Sequence, residues 1–211
     1  MKISRKRVER LATDGLLAEL GPAGFVELEP GVIVRLRNGW REGMFVQTSS
    51  PRSNQMICIK AGVDVPEAVR SVSDGALPPF GVACGGAVSD RGIGQGDMWL
   101  RAETAEDVRA AVSKVLSLLK ENAGWFKQFR DVRDVAQAVF ESRSLLPLGQ
   151  NDYWKQLAVF HYARMLLAAG DRPGAVDWLR ETDRVIRSGE RLDKDDQAVL
   201  AQVAALLQGL N

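Results

Sequence analysis

Histidine is almost missing from this chain: His161 is the only one in 211 residues. Any Ser-His-Asp triad, Cys-His dyad or imidazole-based metal site would have to be built around that single ring. Its neighbours Val159, Phe160 and Tyr162 favour packing on a predicted helix over chemistry. Cysteine is scarce too. Cys58 and Cys84 are far apart and form no Cys-x-x-Cys spacing, which argues against a structural zinc site and a disulfide scaffold. Each lies in an apolar stretch, as reduced, buried thiols of a cytoplasmic protein do, although a disulfide between them turns on their Cα separation. No run approaches the ~18 apolar residues of a membrane span, and the basic segment from Met1 to Arg10 is not followed by the apolar core of a secretory signal. A surplus of either charge is also lacking. With 28 Lys+Arg against 27 Asp+Glu the formal net charge is +1, unlike a dedicated binder of polyanions. The expected location is cytoplasmic, with no membrane partner and nucleic acid disfavoured.

What is present is an ordinary soluble composition, 45% hydrophobic and 26% charged, enough for one large domain or a domain with a small appendage. Residues 4–19 read as a helix with Val8, Leu11, Leu16, Leu17 and Leu20 on one stripe, stopped by Gly21-Pro22. Short strand-like runs follow at 25–28, 32–36, 44–48, 56–63 and 98–101, each bounded by turn residues, as in an antiparallel meander. A period of two puts Val32, Val34 and Leu36 on one face and Ile33, Arg35 and Arg37 on the other, one face core and the other partly wet. The same rule separates Ile57, Ile59 and Ala61 from Met56, Cys58 and Lys60, with Cys58 expected on the less buried side. Residues 66–96 are irregular. Six glycines fall within 81–96, which reads as a loop or a strained hairpin, and long loops in compact domains are commonly functional or mobile.

Helical patterns take over after residue 101. Thr104 with Asp107 resembles a capping box, and Val108, Ala111, Val112, Val115, Leu116 and Leu119 recur at helical spacing until Gly124. A second helix is expected over 131–141. Beyond Pro147-Leu148-Gly149-Gln150, three short helices are expected at 153–169, 173–187 and 194–207, opened by Asp152, Asp171 with Pro173, and Asp193. The predicted fold class is α+β: an antiparallel sheet of about five strands with packed helices over 1–146, then a helical extension over 147–211.

Trp154, Leu157, Ala158, Tyr162, Ala163, Gly170, Ala175, Val176 and Leu179 make the extension resemble a single tetratricopeptide-type helical hairpin. Since about three repeats are needed for a freestanding solenoid, a peptide groove does not follow. Gly24-Phe25, the run 32–36, Phe45-Val46-Gln47, the run 59–63, Met98-Trp99-Leu100 and the run 125–129 resemble a family of uncharacterised bacterial α+β domains over about residues 1–142. That resemblance implies a helix, an antiparallel sheet and two following helices, and no chemistry. By analogy with other small α+β proteins it suggests an immunity or adaptor role.

Few residues invite a site. Gly92-Ile93-Gly94-Gln95-Gly96 lacks the following helix of a dinucleotide loop and the Gly-Lys-Ser/Thr of a P-loop, so a turn is the better reading. Lys2, Arg5, Lys6, Arg7 and Arg10 make the N-terminus basic, but without interleaved aromatics they read as a solvated helix face. Acidic neighbours such as Asp195-Asp196 suit a helix start. Trp40, in the connection Asn38 to Gly43, sits beside Arg41, the composition of an interface hot spot if exposed and of sheet packing if folded back. Together with Arg35 and Arg37 it forms the candidate partner-binding set. Trp99, Trp125, Trp154 and Trp178 read as core. No catalytic, cofactor or metal residue is expected, and the leading expectation is a non-enzymatic protein-interaction module with an unknown protein partner. The alternative is a small-molecule binder or enzyme with a pocket between sheet and helices near 81–96, using Cys84 or arginines with backbone amides.

Overall fold

Ser4 opens the first helix: its hydroxyl accepts a hydrogen bond from the Arg7 N–H at 3.3 Å, satisfying one of the orphan donors of α1 (Arg5–Leu20). Residues 2–49, 54–66, 68, 84–144, 160, 162–189 and 194–210 are described by the computed structural model of the chain. They belong to two compact units, Met1–Pro66 with Pro78–Arg130, and Glu67–Leu77 with Asp131–Asn211.

In the first unit, α1 ends in a 3-10 turn over Gly21–Ala23, and Gly24 at φ 91° swings the chain into β1 (Val26–Glu29). Strands β2 (Val32–Leu36), β3 (Arg41–Thr48) and β4 (Met56–Asp64) continue the meander, each antiparallel to the one before. The far edge of β4 is shared. Its C-terminal half pairs with β5 (Cys84–Ser89), which is followed by β6 (Gly92–Ile93), and its N-terminal half pairs with β7 (Leu100–Arg101). The sheet therefore has seven strands where about five were expected, because the glycine-rich segment forms a hairpin. Its glycines serve close backbone approach: a Cβ on Gly85, at φ 134°, would lie 2.3 Å from the Ala61 carbonyl oxygen, and one on Gly86 would lie 2.8 Å from the Gly94 Cα. The expected strand over 98–101 pairs only at its last two residues, and Trp99 is half-buried rather than core.

The capping box is present. Thr104 accepts from the Asp107 N–H at 3.1 Å and Asp107 accepts from the Thr104 N–H at 2.8 Å, starting α2 (Ala105–Glu121). This helix stops at Asn122, whose side-chain amide donates to the Leu118 carbonyl at 2.8 Å, and Gly124 lies inside the next short helix, α3 (Ala123–Lys127). One sheet face, with Ile33, Met44, Val46, Ile57 and Ile59, packs on Val8 and Leu16 of α1 and Val108, Val115 and Leu119 of α2. Burial of such a side chain contributes about 1.5–3 kcal/mol. Gly15 lets the helices approach, since a Cβ there would meet Val112 at 3.2 Å.

The opposite face is not simply wet. Val32 and Val34 are buried against Phe45, and Cys58, expected on the exposed side, is fully buried. Burial pushes the Cys58 thiol up, outweighing a hydrogen bond with the Met98 backbone. Neither cysteine is in a disulfide.

The second unit comprises α4 (Val132–Ser144), α5 (162–168), α6 (Arg172–Arg187) and α7 (Lys194–Leu210). Asp131 accepts from the backbone of Arg133 and Asp134 at 2.8 and 3.1 Å, and Asp171 accepts from the Gly174 N–H at 3.0 Å, so both carboxylates cap helix starts. Phe160, Ala163, Leu179, Val199 and Val203 form its core. Phe140, Tyr162 and Trp178 stack beside one another at 5.0–5.7 Å between centroids, with Trp178 only half-buried. Of the tetratricopeptide-type positions, Ala163, Ala175 and Leu179 are fully buried, whereas Trp154, Leu157, Ala158, and also His161, lie outside the described residues. The expected boundary at 146 lies there too. Among the described residues no helix is long and apolar enough to cross a membrane.

Candidate functional site

The turn between β2 and β3 is tight: the Arg37 N–H donates to the Trp40 carbonyl at 2.8 Å, and Gly39 takes φ 84°. It folds Trp40 inward. The indole is 2% exposed with its ring 5.9 Å from that of Phe129, so Trp40 adopts the packing alternative and presents no face to solvent. Its Nε1–H is buried without an acceptor among the described residues. Arg41, next along β3, faces the other side of the sheet and grips Asp64, its cross-strand neighbour, through Nε at 2.7 Å and a terminal nitrogen at 2.5 Å. Asp64 is 0% exposed, so this bidentate pair is a structural clasp.

Arg35 and Arg37 converge on Glu42. Register places Glu42 directly opposite Arg35, and its carboxylate is 3% exposed. The Glu42 carboxylate accepts from Arg35 Nε at 2.7 Å and from a terminal Arg35 nitrogen, and from Arg37 Nε at 3.1 Å. Arg35 is locked further, donating to the Ala23 carbonyl at 2.9 Å while its guanidinium lies 4.7 Å above the Phe25 ring. The Arg37 side chain is 45% exposed.

These side chains border a cavity of about 560 Å³ between the sheet and the ends of α1, α2 and α3. Trp40 and Met44 line its sheet side, and Leu116, Leu119, Phe126 and Phe129 line its helix side. Trp125, half-buried, backs that wall with its ring 4.9 Å from Phe126 and 5.0 Å from Phe129. Charge is uneven around the lining, with five basic side chains, Arg35, Arg37, Lys120, Lys127 and Arg130, against Glu19 and Glu42. Lys120 and Lys127 carry no ion pair among the described residues. A second recess of about 480 Å³ runs between α1 and α2 and shares Glu19, Leu116 and Lys120 with the first.

The structure thus brings Trp40, Arg35 and Arg37 to one cavity and separates Arg41 from them. Glu42, Phe129, Lys120 and Lys127 are the residues that sequence reasoning missed. The run 125–129 carried a resemblance without being tied to a site, and Glu42 gave only the signal of an acidic residue following Arg41. Among the described residues none of 84–96 lines the cavity, Cys84 on β5 included. Gly92 to Gly96 forms β6 and a turn with Gly94 at φ 79° and no following helix. At the basic N-terminus, Lys2 pairs with Glu103 at 3.5 Å, Arg5 with Glu9 at 3.4 Å, and Arg10 with Asp14 and Glu27 at 2.7 and 2.9 Å. Residues 67 and 69–83 of the long connection lie outside the described residues. Among the described residues no three His, Cys, Asp or Glu side chains gather in a way that would hold a metal ion.

Fold and cavity define an α+β unit in which two helices pack on one face of an antiparallel sheet and leave a recess at their ends. Comparison of the chain with protein-family models, curated proteins and solved structures finds no match to any of them.

Proposed function

We propose that the first unit is a small-molecule-binding module whose ligand enters the cavity between the sheet and the ends of α1, α2 and α3. The observation that carries this reading is the cavity itself, about 560 Å³ with aromatic walls and seven charged side chains around its lining. Ligand sites typically hold about 300–1,000 Å³ and combine apolar walls with a few placed polar groups. Recognition is favoured over catalysis because the described lining offers apolar surface and charge without a hydroxyl, thiol or imidazole. The test is a thermal-shift panel of metabolites on the full chain, with hits confirmed by calorimetry and repeated on Ala123→Trp, which places bulk on an exposed cavity residue. One-to-one binding lost in that variant supports the reading. Hits that bind the variant equally well refute it.

A second reading, a protein-interaction module such as an immunity or adaptor protein, loses Trp40 as an exposed anchor. One observation favours it: Val26 on the edge strand β1 and Leu36 on β2 are 61% and 69% exposed. Pairing of two copies along that edge is its testable form. A dimer in light scattering that the Val26→Lys, Leu36→Lys double variant dissociates would support it, and a monomeric wild type would refute it.

A further inference from the structure

We infer that the cavity selects an organic anion, one with a ring system lying against Phe126 and Phe129 and an acid group meeting Lys120, Lys127 and Arg37. This rests on the reading of the cavity as a ligand site and adds the class of ligand. Aromatic walls supply the affinity for an apolar body, since rings of this kind stack offset or edge to face with a planar guest. The charge argument is one of surplus. Glu42 neutralises one of the two guanidinium groups that bind it, and Arg37 is the more exposed of the pair. Lys120 and Lys127 add two cations that have no carboxylate partner among the described residues, against the single carboxylate of Glu19 on the same lining. The carbonyl ends of α1 and α2 approach the cavity and subtract from this potential. Three side-chain cations against one carboxylate outweigh those partial charges, and a neutral ligand would leave the surplus unused. An acid group would gain charge-assisted hydrogen bonds there.

The test compares two dyes of the same ring system, anilinonaphthalenesulfonate, which is anionic, and phenylnaphthylamine, which is neutral. Fluorescence titration of the full chain should give one saturable site for the sulfonate, weakened by added salt and lost in Ala123→Trp. Replacing both lysines, Lys120→Gln with Lys127→Gln, should weaken the sulfonate about tenfold and leave the neutral dye within about twofold, as loss of two partly exposed charge contacts predicts. Both lysines are exposed, so the variant keeps the fold, which circular dichroism checks. If both dyes bind equally and the lysine variant changes neither, the cavity takes neutral ligands and the anion inference is overturned while the ligand-site reading stands. If neither dye shows binding that Ala123→Trp removes, the ligand-site reading falls and this inference with it.

Discussion

Glu42→Ala takes away the one carboxylate that two arginines share, and the structure sets the size of the effect. Removing one partner of a buried ion pair costs about 3–5 kcal/mol, because the charge left behind is poorly solvated. Arg37 is 45% exposed and can turn into water, so its loss of a partner adds little. Arg35 is more constrained. It sits over Phe25 and donates to the Ala23 carbonyl, contacts that survive the substitution but hold the guanidinium where its main acceptor is gone. The lower end of the range, about 3 kcal/mol, is therefore expected. Glu42→Gln keeps the shape and one acceptor and should cost about 1–1.5 kcal/mol, the difference between charged and neutral hydrogen bonds.

Because the chain has two compact units, a whole-chain melt need not report one transition, and the assay is amide exchange at β2 and β3. Exchange there should accelerate about 100-fold in Glu42→Ala. In an Arg35→Met background the cost of Glu42→Ala should fall by at least about 1 kcal/mol, the signature of residues coupled in one network. Additive costs, or acceleration below about fivefold in the single variant, would refute the view that Glu42 organises this end of the sheet.

Four further outcomes follow from the same geometry. Trp40→Phe deletes a buried donor that has no acceptor among the described residues while keeping a ring beside Phe129, so it should cost less than about 1 kcal/mol, whereas Trp40→Ala should cost about 3–5 kcal/mol; equal costs in exchange protection would show that the indole N–H has a partner. Gly85→Ala should destabilise the first unit by about 3 kcal/mol, since the new methyl meets the Ala61 carbonyl oxygen on a backbone at φ 134°, and a near-neutral result would refute that contact. With a chromogenic disulfide reagent, half-buried Cys84 should react in the native protein and Cys58, buried and raised in pKa, only on unfolding; two equally fast thiols would contradict the burial of Cys58. At Asp107, burial pulls the carboxyl upward, but hydrogen bonds from Thr104 and the charge of Arg101 together outweigh it, leaving it below the ordinary aspartate range. A depressed folded value stabilises above the unfolded pKa and is lost as pH falls through the folded one, so wild type should lose more stability than Asp107→Asn between about pH 7 and about pH 3, and equal acid sensitivity would overturn this.

Local chemistry made much of the fold legible. Ser4 and Gly21-Pro22 bracket α1 because capping and proline act within a turn of the helix end, and Thr104 with Asp107 marks the start of α2 for the same reason. Hydrophobic alternation found β2 and β4. It did not reveal how many layers cover a face, which is why Cys58 was expected to be wetter than it is. The β5–β6 hairpin was one of two readings, loop or strained hairpin, that its glycine-rich composition left open. Glycines there are required by Ala61 and the Gly94 backbone, neighbours that become visible only when β4 and β5 are paired.

The candidate site was legible in some of its residues and not in its arrangement. Trp40, Arg35 and Arg37 stand out locally as a tryptophan among arginines, the composition of a contact surface. Whether such a group faces outward depends on segments far along the chain: Phe129 supplies the ring that covers Trp40, and the turn at Gly39 sets the register that puts Glu42 opposite Arg35. Once that register is known, the charges can be paired, and pairing decides what remains. Had each arginine found its own carboxylate, only the two lysines would stand against Glu19 and the positive surplus would be smaller. One carboxylate between two guanidinium groups, beside two lysines on the helix ends, leaves positive charge next to aromatic walls, and that combination ties the chemistry of the ligand to the register of two strands.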